Sequence, residues 1–141
     1  MRSKALIFSA LVLLAACRPT SYEQFIRADQ APEGEYVFVL DLADSAATYD
    51  LSFYTRIDSA LMAAEEPSHS LGLEVSWKPA ASDSVFLREF VYIPYGGKAG
   101  SVQLYRSGVR PSPAGEWSLS VKPNEAPKGL RGIGIICKRH D

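Results

Sequence analysis

The sequence predicts an all-β protein, a single antiparallel β-sandwich of about seven strands behind an N-terminal signal segment. Three observations carry this. Apolar residues recur at every second position in one segment after another. Clusters of Pro, Gly, Asn and Asp separate those segments. No regular succession of helical segments alternates with them, which argues against a parallel sheet.

The alternation is clearest at three places. Tyr36, Phe38, Leu40 and Leu42 share one face against Val37, Val39 and Asp41. Tyr49, Leu51, Phe53 and Thr55 alternate with Asp50, Ser52, Tyr54 and Arg56. Leu71, Leu73, Val75 and Trp77 alternate with Gly72, Glu74, Ser76 and Lys78. A period of two places such sets on one side of a pleated strand. Val85–Ile93 is β-branched and aromatic, Val102–Arg106 is a short strand, and Trp117, Leu119 and Val121 form another inward set. The last strand is expected over about Gly132–Lys138. Turns are expected at Pro79–Asp83, Pro94–Gly97, Pro111–Gly115 and Pro123–Pro127, whose residues supply the backbone angles that turns require. Only Asp58–Glu66 has a helical pattern, with Asp58 or Ser59 as a cap and Pro67 as its stop.

The N-terminus carries an address. Arg2 and Lys4 precede the apolar run Ala5–Ala16, and Leu14-Ala15-Ala16 leads directly to Cys17. The run is far shorter than the roughly twenty residues of a spanning helix, and it fits the core of a secretory signal. Small residues immediately before a cysteine resemble the layout of bacterial lipoproteins. That resemblance implies cleavage before Cys17, acylation of its thiol and of the new amino terminus, and a membrane anchor of lipid. The expected organisation is a signal peptide over 1–16, a lipidated tether over 17–34 and a β-sandwich domain over 35–141. Within the tether, Tyr22–Ile26 reads as a helical turn or an extended piece. Arg18 is not the Asp that retains many Gram-negative lipoproteins in the inner membrane, and the first acid is Glu23. Both points favour the outer membrane and its periplasmic face.

Composition narrows the function classes. The chain has 141 residues and a formal net charge of −1. Loss of Arg2 and Lys4 with the signal would take that charge to about −3, so no basic field for nucleic acid exists. Cys137 would be the sole free thiol and reads as a small buried hydrophobe in a strand; the competing reading is a reactive or intermolecular thiol. His69 reads as a solvated loop residue and His140 as a frayed terminal one. Asp41, Asp44, Asp50 and Asp58 gather in one stretch without a calcium-loop pattern, and read as a polar sheet face and a turn. Glu65-Glu66 reads as a solvated helix end. Ser118 and Ser120 have no His near them in sequence, and no phosphate loop or Gly-x-Ser-x-Gly occurs. No catalytic residue, cofactor or metal ligand is therefore assigned. Phe90, Tyr92, Tyr95, Tyr105 and Trp117 lie close in sequence; most are expected in the core, with Tyr95 the most exposed.

Three segments carry a family resemblance. Tyr49–Arg56, Gly115–Val121 and Leu130–Ile135 resemble, in order, the Tyr-x-Leu…Arg strand, the Gly-Lys/Glu-Tyr-x-Phe strand and the closing Leu-x-Gly-Ile…Gly segment of the gliding-motility lipoprotein GldH. The resemblance implies a lipoprotein with a sandwich domain, associated with gliding and with an outer-membrane secretion system. The expectation is a non-catalytic envelope interaction module, anchored through Cys17, with a protein partner in the envelope. The alternative is a lipoprotein that binds glycans or small ligands on an aromatic surface.

Overall fold

The computed structural model describes residues 20–58, 69–95 and 102–141. Cys17, the signal and most of the expected helix at 58–66 lie outside the described residues, as does the side chain of Tyr95.

Eight strands form two four-stranded antiparallel sheets. They are β1 (Ser21–Arg27), β2 (Tyr36–Leu42), β3 (Thr48–Ile57), β4 (His69–Pro79), β5 (Leu87–Tyr95), β6 (Gln103–Val109), β7 (Gly115–Pro123) and β8 (Leu130–His140). One sheet runs β1-β8-β3-β6 and the other β2-β7-β4-β5. The sandwich expected from the alternation is the architecture observed, and the period-two sets become its core. Phe38, Leu40, Leu42, Leu51, Phe53, Leu73, Val75, Leu119, Val121, Ile133 and Ile135 are fully buried between the sheets. Burying a side chain of this size contributes roughly 1.5–3 kcal/mol, so the inner faces supply the main driving force.

The structure corrects the tether. Ser21–Arg27, expected within a tether over 17–34, is a strand of the sandwich, paired with β8 from Ser21 opposite Lys138 to Arg27 opposite Gly132. Two 3-10 turns, Ala28–Gln30 and Pro32–Gly34, then carry the chain across to β2. The second turn places Glu33 and Gly34 at positive φ, which lets the chain reverse within a few residues.

Two further expectations change. His140 is not frayed: it lies opposite Thr48, and its Nε2 is 2.7 Å from the Asp50 carboxylate. His69 begins a strand opposite Tyr95 rather than sitting in a loop. Cys137 is in the core, 1% exposed. Burial pushes its thiol above the usual range, which suits a packing role and not a nucleophilic one.

Candidate functional site

The two sides of the sandwich are finished differently, and the difference locates the site. On one side, β1 covers the free edge of β2. Gln24 donates from Nε2 to the Val39 carbonyl at 2.5 Å, and the Asp41 amide donates to the Tyr22 hydroxyl at 3.0 Å. Backbone groups that would otherwise invite another strand are thus occupied. On the other side lie β5 and β6, the remaining edges of the two sheets. Among the described residues, no side chain hydrogen-bonds to the backbone along the free edge of β5.

Instead, the side chains of β5 and β6 tie the sheets together. Leu87, Glu89, Val91 and Ile93 point inward, because Glu89 lies opposite the buried Val75 and Ile93 opposite Leu71. An inward carboxylate on an edge strand needs partners. Arg106 on β6 supplies a bidentate pair, with Nη2 2.7 and 2.8 Å from the two Glu89 oxygens. The Tyr105 hydroxyl donates to Glu89, and the Trp77 indole donates to that hydroxyl at 2.8 Å. Burial and then the Glu89 hydrogen bond push the Tyr105 hydroxyl up to about 12. Burial alone would raise Glu89; the hydrogen bonds from Arg106 and Tyr105 outweigh it and hold the carboxyl below its usual range. A carboxylate so engaged has no proton to give and few lone pairs to spare. Its geometry is that of a strut between sheets.

This strut has a pH signature. The folded Glu89 value lies below the ordinary 4.5, so its stabilisation is complete above that value and is lost as pH falls through the folded one. Asp50 acts in the same window, lowered by the Gly108 amide and then by His140. Urea midpoints should therefore fall as pH drops below about 4.5, and Glu89→Gln should flatten that dependence. A Glu89→Gln curve as steep as wild type would assign the acid sensitivity elsewhere.

Next to the strut is a cleft of about 570 Å³. Trp77 and Trp117 form its floor, Phe86 and Tyr105 its walls, and Arg106 and Arg110 line it as well. Phe86 meets Trp117 edge-on, with ring centroids 5.5 Å apart. Both indole N–H groups are taken, Trp77 by Tyr105 and Trp117 by the Pro113 carbonyl at 2.9 Å. The outer face of β5 presents a second feature. Phe90 and Tyr92, two residues apart, are 63% and 71% exposed.

The expected site residues are thus dispersed. Trp117 is core and Tyr105 half-buried, whereas Phe90 and Tyr92, expected in the core, stand in solvent. Asp41 and Asp44 accept the amides of Ala43 and Ala46 within the β2–β3 turn, Asp50 caps Gly108 and His140, and Asp58 meets Arg131 at 2.6 Å. Among the described residues no metal-ligating group of three converges. Glu89, Arg106, Phe86 and Arg110 had not been singled out from sequence.

No family model matches the chain, and no curated protein matches it.

Proposed function

We propose that the protein is a lipid-anchored, non-catalytic module of the bacterial envelope, held at the outer membrane through Cys17 on its periplasmic face, and that it engages a protein partner along β5. The observation that carries this reading is the asymmetry of the edges. β2 is covered by β1, while β5 combines an edge without such cover, among the described residues, with the exposed pair Phe90 and Tyr92. An added strand would gain main-chain hydrogen bonds from the edge and pockets beside the aromatic rings. The resemblance to the gliding-motility lipoprotein GldH supports an accessory role in a gliding or secretion machine.

The test is affinity purification of the intact lipoprotein from its native envelope, in parallel with Phe90→Ser/Tyr92→Ser. Exposed positions of this kind change stability by roughly 0.5 kcal/mol or less, so the variant should fold. A partner is expected with wild type and lost with the variant. Failure to recover any stable partner with wild type overturns the proposal.

A second reading rests on the same pair. Side chains two apart on a strand lie roughly 7 Å apart, a spacing on which adjacent faces of a glycan could stack. Binding of soluble envelope glycan by the purified domain, abolished by Tyr92→Ser, would favour that reading over the protein partner.

A further inference from the structure

The pairing of β1 determines which end of the sandwich a lipid on Cys17 would hold at the membrane. Ser21 is already opposite Lys138, and the Arg139 amide donates to the Thr20 carbonyl at 2.6 Å. Thr20 is therefore already held by β8. From Cys17 to Thr20 the chain reaches at most about 11 Å. Strand β4 alone, with 11 residues, is about 36 Å long at the usual rise. So short a link cannot let the domain turn over on its anchor.

The register identifies everything else at that end. Leu42 is opposite Gly115, Thr48 opposite His140, Tyr49 opposite Val109, and Trp77 opposite Leu87. The anchor end therefore consists of the turn at 43–47, the hairpin at 80–86, the connection at 110–114 and the C-terminal residues 139–141. Two observations there point to lipid. Val85 and Phe86 at the hairpin are 46% and 68% exposed, an aliphatic and an aromatic side chain in sequence and in solvent. Arg110 is also exposed, and it lines the same cleft as Phe86. Arg27, Arg88, Arg106, Arg131 and Arg139 each meet a carboxylate; among the described residues Arg110 meets none.

We infer that this end of the sandwich is a membrane-docking face, in which Val85 and Phe86 enter the headgroup region and Arg110 pairs with lipid phosphate. The inference rests on acylation of Cys17 as proposed above. Aromatic rings favour the interface between headgroup and acyl chain, and a guanidinium pairs with phosphate in a bidentate fork. Acids on the same end are partly spent internally: Asp44 on the Ala46 amide and Asp141 on Arg139. Docking here is local, through one apolar tip and one cation, and owes little to net charge. In this orientation the strands stand upright from the membrane. The β5 edge then faces sideways, accessible to a partner strand along its length.

The test uses the full, acylated chain in vesicles of phosphatidylethanolamine and phosphatidylglycerol. An environment-sensitive fluorophore is placed by Phe86→Cys or by Tyr92→Cys, with the buried Cys137 left unlabelled. On vesicles, emission from position 86 should brighten and shift to shorter wavelength, and spin-labelled lipid should quench it. Emission from position 92 should remain as in buffer. Adding Arg110→Glu should reduce the shift at 86. Should Phe86→Cys fold poorly, Val85→Cys on the same tip carries the fluorophore instead, with the same shift expected and the same reduction by Arg110→Glu. Equal, water-like signals at the hairpin tip and at position 92 overturn the docking face. A mature protein whose mass shows no acyl groups on Cys17 overturns the anchor itself, and the two failures are read separately.

Discussion

Cys17→Ala is expected to abolish incorporation of labelled palmitate, and the same domain exported behind an ordinary cleavable signal is expected in the soluble periplasmic fraction. The size of the effect follows from the chemistry of the anchor. Each acyl methylene moved into hydrocarbon contributes about 0.8 kcal/mol, yet one myristoyl-length chain gives an association constant of only about 10⁴ M⁻¹. A diacylated thiol with an acylated amino terminus exceeds that by a wide margin and holds without a protein partner. The docking face cannot substitute for it. Full burial of Phe86 would contribute roughly 1.5–3 kcal/mol, and its ring would enter only the interface. The domain exported without its lipid should therefore leave the membrane fraction, whereas loss of Phe86 should only change how the anchored domain sits. Undiminished label in Cys17→Ala would remove the lipoprotein reading.

The fold was legible where one sheet face is buried and the other wet. Tyr36–Leu42, Tyr49–Phe53 and Leu71–Trp77 alternate because their inner residues are apolar and buried, while Asp41, Asp50, Ser52, Glu74 and Ser76 between them are at least partly in solvent. Strand β1 was not legible for the opposite reason. Tyr22, Gln24 and Ile26 form its inner set, half-buried and partly polar, while its outer face carries Phe25. Pattern and burial do not separate there, and Pro19, Pro32 and Gly34 on either side give the segment the composition of a linker. With β1 in the sandwich, only the few residues before Thr20 remain for a tether, and a lipid on Cys17, as proposed, would hold the domain close to the membrane.

The strut was not legible because its chemistry is not local in sequence, unlike the proposed lipidation signal, which is a run of consecutive residues ending at Cys17. The strut joins Glu89 to Arg106 and Trp77 to Tyr105, and the register of β4 with β5 and of β3 with β6 decides that they meet. One clue was present in the sequence: Glu89 interrupts the inward series Leu87, Val91 and Ile93. A carboxylate in such a position signals a partner on the facing strand, although not which one. The exposure of Phe90 and Tyr92 follows from the same parity, since an inward Glu89 sends both neighbours outward.

Gly132→Ala is expected to detach β1, with a stability loss at the upper end of the roughly 1–3 kcal/mol typical of overpacking. Gly132 and Gly134 occupy outward positions on β8, between β1 and β3. Phe25 and Tyr54 both lie opposite Gly134, and their rings stack over the glycines with centroids 6.0 Å apart and planes 15° from parallel. The Arg56 guanidinium lies 5.5 Å from one ring and 5.9 Å from the other. Glycine weakens a strand, and the flat aromatic cover offsets that cost. The nearest atoms to a Cβ at Gly134 all belong to the Tyr54 side chain, with no backbone atom among them. Gly134→Ala should thus cost less, and combined with Tyr54→Ala it should show strong non-additivity, because the second change removes the clash. A Cβ at Gly132 would overlap the Phe25 ring and also the Ile26 carbonyl. Removal of the ring leaves the carbonyl in place, so Phe25→Ala should not rescue Gly132→Ala; full rescue in urea unfolding would show that the backbone contact is unimportant. The consequence reaches the membrane. Release of β1 returns its 7 residues to the tether, lengthening it by about 25 Å at full extension. The anchored domain would then be free to tumble, and amide exchange in β1 should rise together with loss of the fluorescence shift at position 86.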